Sequence, residues 1–245
     1  MIDIHCHLLP GIDDGPDTLA QSLDLCRLAV ANGITHAVVT PHIHPGRYEN
    51  EASNIAEGLA ALRLALQEAN IPLQLGMAAE VRVSPEIMPL IMQNRVPFHG
   101  EWNGRRVMLM EFPHSQIPAG SDRLVAWLIK QNVLPLIAHP ERNKDVMRQF
   151  SKLHPFIEMG CLFQVTAGAL AGRFGEMAEQ RACEIIEGGW ATVLASDAHN
   201  VGARPPELRE GVAAAARLIG EPAAMALVTE RPWSLVASQF AVAAP

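Results

Sequence analysis

The chain has 245 residues, of which 49% are hydrophobic and 18% are charged, and its formal net charge is −7. This composition is typical of a folded globular protein, excludes a disordered chain, and at this length suits one sizeable domain. No run of residues has the length and apolarity of a membrane span, and the N-terminus lacks a signal-peptide layout, so we expect a cytoplasmic protein that is not embedded in a membrane. Lysines and arginines are not clustered, which argues against nucleic acid as a partner.

Short apolar runs alternate with longer amphipathic segments along the chain. The runs predict strands at Ile2–His5, His36–Thr40, Pro72–Gly76, Arg106–Glu111, Leu134–Ala138, Cys161–Val165 and Thr192–Ala195. The amphipathic segments predict helices at Thr18–Asn32, Asn50–Asn70, Ser121–Asn132 and Glu176–Gly188. A strand followed by a helix, repeated about seven times, indicates parallel strands joined by right-handed crossovers, with both faces of the sheet covered as in a barrel.

Capping residues support the ends of the first helix, and prolines mark the start of the last one. Asp17 or Thr18 is the expected N-cap of the first helix, and Asn32-Gly33 closes it. We expect a terminal helix from about residue 206, after Pro205-Pro206. A loosely ordered, alanine-rich tail is predicted from Ala223 onward.

Side chains of the types that bind metals follow six of the seven predicted strands. They are His5 and His7, His42, Glu80, Glu111, His139, and Asp197 with His199. His5 and His7 point the same way, because alternate residues of a strand share a face. In an α/β barrel the carboxyl ends of the strands meet at one mouth, where active sites lie. Imidazole and carboxylate suit manganese, iron and zinc, so the sequence predicts a metal site at this mouth.

The four cysteines, at positions 6, 26, 161 and 183, are scattered and form no CxxC pair. We interpret them as small buried hydrophobic residues rather than as disulfides or zinc ligands. A cysteine-dependent phosphatase needs an arginine six positions after its nucleophile to complete an anion-binding loop. The residues at those positions are Ile12, Asn32, Ala167 and Gly189. The cysteine mechanism is therefore excluded, and no serine-hydrolase elbow or phosphate-binding glycine loop is present.

Four segments carry a resemblance to a known family. They are His7–Gly15 (HLLPGIDDG), Gly46–Asn50 (GRYEN), Ile137–Asn143 (IAHPERN) and Gln164–Gly168 (QVTAG). With the ligand-type residues they resemble the polymerase-and-histidinol-phosphatase (PHP) superfamily, and within it the bacterial manganese-dependent tyrosine-protein phosphatases of capsule and exopolysaccharide loci. The resemblance runs from Met1 to about Glu210. It implies an α/β fold with a distorted seven-stranded (β/α)7 barrel, formed by one PHP-type domain over residues 1–245.

The resemblance also implies a trinuclear site for divalent metal ions, with manganese expected and iron or zinc as alternatives. The first ion would be held by His5, His7, Glu80 and Asp197. Glu80 would bridge to the second ion, whose other ligands would be Glu111 and His139. The third would be held by Asp14, His42 and His199, with Asp13 as the alternative to Asp14. Three divalent ions among four carboxylates leave a local charge of about +2, so an acidic chain can still attract an anionic substrate.

Three arginines form the second part of the expected site. Arg142, Arg47 and Arg204 lie in loops just after ligand-bearing strands, and a guanidinium group matches the oxygens of a phosphate. We expect them to bind phosphate, with His199 or a metal-bound water as the candidate proton donor. His44 is a candidate substrate contact. Structural roles are expected for the remaining histidines, which are His36, His99, His114 and His154.

These residues predict metal-assisted hydrolysis of a phosphate monoester. By resemblance, the substrate is phosphotyrosine on a protein, expected to be the tail of a tyrosine autokinase that controls capsule or exopolysaccharide synthesis. The main alternative is a phosphatase of the same superfamily that acts on histidinol phosphate or another small phosphomonoester. A non-catalytic metal-binding module that docks the kinase is the alternative from another class. The presence of every expected ligand favours an enzyme.

Overall fold

Ten strands and eleven α-helices alternate along residues 1–240, the part of the chain that this computed structural model describes. The strands are β1 (Ile2–Cys6), β2 (His36–Val39), β3 (His42–Ile43), β4 (Gln74–Met77), β5 (Glu80–Arg82), β6 (Gly100–Trp102), β7 (Arg105–Glu111), β8 (Val133–Ala138), β9 (Leu162–Thr166) and β10 (Val193–Ala195). The helices are α1 (Leu19–Ala31), α2 (Ala52–Glu68), α3 (Ile87–Met92), α4 (Ser121–Lys130), α5 (Lys144–Arg148), α6 (His154–Glu158), α7 (Ala167–Leu170), α8 (Glu176–Glu187), α9 (Arg209–Ile219), α10 (Glu221–Ala226) and α11 (Glu230–Val236).

The strands form two sheets. One has three parallel strands in the order β1-β2-β4, and the other has the parallel order β10-β9-β8-β7-β5-β3, with β6 antiparallel to β7. The predicted α/β fold with parallel strands is therefore confirmed. The prediction of one seven-stranded barrel is not, because neither sheet closes on itself within the described residues. A single bridge between Cys6 and Ala198 joins β1 to the segment after β10.

The division into two sheets occurs just beyond two of the predicted strands, His36–Thr40 and Pro72–Gly76, where the chain forms the further short strands β3 and β5. Thr40-Pro41 separates β2 from β3, and Ala78-Ala79 separates β4 from β5. Proline has no backbone N–H and cannot continue a ladder on both sides, although Pro41 O still accepts from the backbone N–H of Glu80 at 3.1 Å. After the break, His42 and Glu80 pair in parallel register at the start of β3 and β5. The interruption therefore places two of the expected ligands side by side.

Apolar side chains fill the space enclosed by the strands. Val107 and Leu109 of β7 lie there with Leu134 and Leu136 of β8. Side chains of α11 join the same cluster, so the C-terminal helix covers the end of the strands opposite the polar residues. A second, larger cluster packs the helices on the outside of the strands. With both faces buried, the strands hold the side chains at their carboxyl ends in fixed positions.

The cysteines are free, and three of the four are buried. Burial raises the pKa of the Cys26 and Cys161 thiols to about 12. Cys6 donates from Sγ to Val38 O at 3.4 Å, and Cys183 is half-buried on α8. The interpretation of the cysteines as small packing residues agrees with this environment, since a protonated buried thiol is neither nucleophile nor ligand.

The first helix has the predicted caps. Thr18 is its N-cap, and its hydroxyl accepts from the Gln21 N–H while the Gln21 side chain accepts from the Thr18 N–H. Asn32 is the C-cap, and Gly33 has a positive φ of 89°, which favours glycine. None of the helices in residues 1–240 is long and apolar enough to span a lipid bilayer.

The C-terminal region differs from its prediction. One terminal helix and a loose tail were expected, whereas the structure has α9, α10 and α11 in succession. Trp233 and Phe240 stack with ring centroids 5.9 Å apart, and both rings contact His36 edge-on. Apolar side chains within the alanine-rich sequence thus have a packing partner, which composition alone did not indicate. The last part of the predicted tail, residues 241–245, lies outside the described residues.

We predict that Gly211→Ala destabilises the protein. A Cβ at this position of α9 would lie 2.6 Å from the Cα and Cβ of Ala167 in α7. Alanine is the better helix former by about 1 kcal/mol, but overpacking costs about 1–3 kcal/mol, so we expect a net loss in the free energy of unfolding. Urea denaturation measures it, with Ala213→Ser at an exposed position of the same helix as control. A gain in stability would contradict the close helix contact.

Candidate active site

Buried histidines and carboxylates lie together at the carboxyl ends of the strands. The structure brings all nine expected ligands into one cluster, namely His5, His7, Asp14, His42, Glu80, Glu111, His139, Asp197 and His199. Asp14 is exposed and His139 is half-buried, while the other seven are buried. So many ionisable groups in one buried place require charge compensation, and their arrangement shows how it is achieved.

The first group of ligand atoms surrounds Glu80 and Asp197. The Nε2 atom of His5 lies 3.3 Å from Glu80 Oε2 and 3.2 Å from Asp197 Oδ1. The Nε2 atom of His7 lies 3.3 Å and 3.6 Å from the same two oxygens. These are the four residues that the resemblance implies for one ion, and each offers an atom within 4.8 Å of the others.

His42 lies between two further groups. Its Nδ1 atom is 3.1 Å from Glu80 Oε2, which places it in a group with Glu80 and Glu111. Its Nε2 atom is 3.2 Å from Asp14 Oδ1, in a group that also contains His7 and His199. His139 Nε2 is 2.8 Å from Glu80 Oε1 and 4.0 Å from Glu111 Oε1. His42 thus faces both the second and the third expected positions, whereas the resemblance implied the third alone.

Hydrogen bonds at Nδ1 orient three of the imidazoles. The Nδ1 atom of His5 lies 2.8 Å from Gln164 Oε1, and that of His7 lies 2.7 Å from Asp13 Oδ2. The Nδ1 atom of His199 lies 2.9 Å from a backbone carbonyl oxygen. All three partners are acceptors, so Nδ1 carries the hydrogen, and each Nε2 faces the cluster, where it can offer a lone pair to a cation once it is deprotonated. This is the arrangement found behind metal-binding histidines.

The structure also separates the roles of the two adjacent acids. Asp14 Oδ1 lies 3.2 Å from His42 and 3.4 Å from His199, among the ligand atoms. Asp13 lies behind His7 and also accepts from the backbone N–H groups of Gly15 and His42. From sequence spacing alone, either acid could have been the metal ligand.

Two cluster residues have left-handed backbone conformations. His139 has φ 30° and Asp197 has φ 55°, values that L-residues rarely adopt. Leu136 and Ala138 point into the space between the strands, so strict alternation would turn His139 away from it. The left-handed conformation instead directs the imidazole toward Glu80. Such conformations cost about 1–3 kcal/mol each and are concentrated at functional sites.

The shared charges shift several pKa values. Burial alone would raise the pKa of Glu80, but the charges of His5 and His42 hold it well below its usual range. Burial and the charge of Glu80 raise the pKa of Glu111 to about 8. Burial lowers the pKa of His139 to about 4, which keeps this imidazole neutral and able to act as a ligand. Cation binding beside Glu111 would release a proton.

Four buried ligand atoms make no hydrogen bond of acceptable geometry within residues 1–240, although each lies within 3.4 Å of an atom of a side chain that can carry the opposite charge. They are His42 Nδ1, Glu111 Oε2, Asp197 Oδ1 and His199 Nε2. A buried polar atom without a partner is destabilising by roughly 1–3 kcal/mol, and such atoms are rare. Their convergence on one volume fits a donor set that coordinates cations.

A pocket of about 240 Å³ opens above the cluster, and four arginines line it. We call it the arginine-lined pocket after Arg47, Arg82, Arg142 and Arg204. Arg142 and Arg204 each donate to the same oxygen of Asp197, and Arg82 Nε lies 2.9 Å from Glu111 Oε2. The pocket therefore combines ligand carboxylates at its base with guanidinium groups on its walls.

The other histidines divide between the pocket and the rest of the fold. His44 lines the pocket, as expected of a substrate contact, and so does His114, for which a structural role was expected. His99 is buried, and its Nε2 lies 2.7 Å from Ile4 O. His36 packs against aromatic rings, and His154 is exposed.

Sequence reasoning missed Arg82, Gln164 and Tyr48. Arg82 lies two residues after Glu80, so strand alternation could have placed it on the same face. Gln164 accepts from the backbone N–H of His139 as well as from His5; it lies in a segment that carries the resemblance, but a neutral side chain inside an apolar run indicated no role at the site. Tyr48, the single tyrosine of the chain, stacks on the His42 ring; it also lies in such a segment, but a lone aromatic residue in a loop indicated no role either.

Comparison with known proteins identifies the family to which a chain with this fold and site belongs. Residues 1–237 match the family "Capsular polysaccharide synthesis, CpsB/CapC", so the chain belongs to it. The predicted resemblance to capsule-type tyrosine phosphatases is thereby confirmed.

Relatives in this family are named as tyrosine-protein phosphatases. The chain is 35% identical over 204 residues to the tyrosine-protein phosphatase YwqE of Bacillus subtilis, covering 83% of this chain and 79% of that protein. It is 27% identical to the tyrosine-protein phosphatase CpsB of Streptococcus pneumoniae, covering 98% and 100%. A crystal structure from work on YwqE and CpsB, described as unique metal-dependent tyrosine phosphatases, superposes with a TM-score of 0.89 at 32% identity, covering 98% and 96% of the two chains.

More distant structures share the fold alone. A lactonase of Listeria monocytogenes, Lmo2620, superposes with a TM-score of 0.54 at 11% identity, covering 96% of this chain and 94% of that one.

We predict that Gln164→Leu lowers the free energy of unfolding. Two buried donors, His5 Nδ1–H and the backbone N–H of His139, would lose their acceptor. Each loss should cost roughly 1–3 kcal/mol. Urea denaturation of the metal-free protein measures this. Gln180→Leu, at an exposed position of α8, is the matched control and should be near neutral. Equal stability of the two variants would contradict the orienting role of Gln164.

Proposed function

We propose that this chain is a metal-dependent phosphatase that removes phosphate from phosphotyrosine in a protein. The observation that carries the proposal is the position of the arginine-lined pocket directly above nine converged ligand side chains. Ligands for cations and donors for a phosphate anion are thereby combined within one small volume. Membership in a family whose relatives are named tyrosine-protein phosphatases supports the same activity.

The donor set fits hard or borderline divalent cations, and we propose three ions, with manganese as the metal. Imidazole nitrogens and carboxylate oxygens are the donors, and the buried Cys6 thiol points elsewhere, which disfavours softer metals. In the assignment we propose, His5, His7, Glu80 and Asp197 hold the first ion. Glu80, Glu111 and His139 hold the second. Asp14, His42 and His199 hold the third. Divalent ions in such a site supply Lewis acidity and lower the pKa of bound water.

The chain's own residues then bind and orient the substrate. The Arg47, Arg142 and Arg204 guanidinium groups would hold the non-bridging phosphate oxygens and offset the charge that develops during transfer. Arg142 stacks over Phe174 with its guanidinium carbon 4.3 Å from the ring centroid, which fixes the plane of its donors. A tyrosine leaving group has a pKa of about 10, so little proton donation is needed. His199 was a candidate donor, but in this assignment its Nε2 would bind the third ion, its Nδ1–H is bound to a backbone carbonyl oxygen, and burial lowers its pKa to about 4, so we propose no donor role for it.

For the partner, we propose the phosphorylated tail of a bacterial tyrosine autokinase that controls capsule or exopolysaccharide synthesis, encountered in the cytoplasm. This part of the proposal is supported by the family's link to capsular polysaccharide synthesis. A flexible tail can reach a shallow pocket without deep burial of its backbone.

We predict that chelation abolishes the phosphatase activity and that added Mn²⁺ restores it. His5→Ala and Asp197→Ala should each lower kcat/KM by at least about 100-fold, because each removes a ligand whose loss weakens the ions that act on phosphate. Phosphate release from a phosphotyrosine peptide is the measurement. His154→Ala, at an exposed position away from the cluster, is the control.

Circular dichroism of the variants would establish that the fold persists. Full activity in a protein shown to be metal-free would contradict the proposed mechanism. Activity of His5→Ala equal to that of His154→Ala would contradict the assignment of His5.

We predict a higher kcat/KM for a phosphotyrosine peptide than for histidinol phosphate or a phosphoserine peptide, by at least about tenfold. An alkoxide leaving group departs less easily than a phenolate and therefore depends more on proton donation. Steady-state kinetics with the three substrates at equal Mn²⁺ gives the comparison. Preference for histidinol phosphate would favour the small-molecule phosphatase, and no turnover of any of them would favour a docking module.

A further inference from the structure

A second cavity, of about 370 Å³, lies beside the arginine-lined pocket. Most of its lining is apolar, with two serines and Arg123 as the polar contributors. We call it the apolar groove, and its apolar side chains are those of Val83, Pro85, Met88, Pro118, Leu124 and Trp127. Met88 remains 36% exposed, so apolar surface faces solvent here.

The same two chain segments line the pocket and the groove. Arg82 lines the pocket and Val83, the next residue, lines the groove. On the other segment, His114 lines the pocket and Pro118 lines the groove. The backbone N–H of Val83 donates to Glu111 O at 2.9 Å and ties the two segments together. Among the residues that the structure describes, the groove and the pocket share no lining residue, but neighbouring residues of the same two segments place them next to each other.

The position of the groove next to the pocket indicates its occupant. A phosphotyrosine in the pocket is attached to a polypeptide, and the residues beside it must leave across the neighbouring surface. An extended chain advances about 3.3–3.6 Å per residue, so a residue a few positions away reaches the next cavity. Burying one leucine-sized side chain there would strengthen binding about tenfold or more. Arg123 makes no ion pair with any described residue and offers a positive charge at the groove.

We propose that the apolar groove binds the substrate polypeptide next to the phosphotyrosine, taking one apolar side chain, with an acidic residue favoured near Arg123. The inference rests on the proposed phosphatase function and adds a sequence preference to it. The groove gives protein substrates an advantage over small phosphomonoesters, because only a polypeptide fills both cavities.

The test compares two methionines of α3. Met88 lines the groove, whereas Met92 is 65% exposed and lies outside it. The quantity measured is kcat/KM for a leucine-containing phosphotyrosine peptide divided by kcat/KM for p-nitrophenyl phosphate, both with Mn²⁺. We expect this ratio to fall about tenfold in Met88→Gln, which corresponds to about 1.4 kcal/mol of lost apolar contact. We expect no change of the ratio in Met92→Gln.

A peptide series completes the test. A single leucine is moved through about three positions on either side of the phosphotyrosine in a serine background. Leucine at one of these positions should raise kcat/KM about tenfold for the wild type but not for Met88→Gln. Such a dependence of one change on the other is the signature of direct contact between two groups. Thermal unfolding confirms that the variant is folded.

The proposal that the groove binds substrate would be overturned if Met88→Gln left the kcat/KM ratio unchanged. It would also be overturned if leucine changed the wild-type kcat/KM at none of the peptide positions. A change in the sedimentation of Met88→Gln without a change in the ratio would also overturn it and would assign the groove to contact between copies. Absence of p-nitrophenyl phosphate turnover by the wild type would instead contradict the phosphatase function on which the inference rests.

Discussion

The structure depends on the compensation of buried negative charge at the strand ends. Glu80 and Asp197 are each 1% exposed, and Glu111 is 7% exposed. An isolated buried carboxylate is strongly destabilising, so each of these acids needs a positive or hydrogen-bonding partner. The chain supplies imidazoles on the inner side of the cluster and guanidinium groups on the outer side, with Arg142 and Arg204 on Asp197 and Arg82 on Glu111.

This compensation links the residues that we propose for cation binding to those that we propose for phosphate binding. One oxygen of Asp197 faces His5 and His7, while the other accepts from two arginines of the pocket wall. The groups we propose for cation binding and for phosphate binding are therefore connected through single carboxylates. Changing an arginine should disturb the cluster as well as the pocket. We therefore expect metal affinity and substrate affinity to be coupled.

The sequence predicted the composition of this site much better than its shape. Ligand-type residues at successive strand ends were recognisable because parallel strands place their carboxyl ends together, and His5, Glu80 and Asp197 do meet. The divided sheet was not predictable, since it arises where Pro41 interrupts pairing. The inward turn of His139 depends on a left-handed backbone, and Gln164 and Arg82 act through contacts between distant segments. Long-range geometry of this kind leaves little trace in spacing.

The central claim is that these side chains converge in order to hold cations. The most direct test is anomalous diffraction at the manganese edge from crystals grown with Mn²⁺. The account predicts peaks inside the cluster, one of them bounded by His5, His7, Glu80 and Asp197. A map with no anomalous peak among these four side chains, from protein that hydrolyses phosphotyrosine under the same conditions, would contradict it.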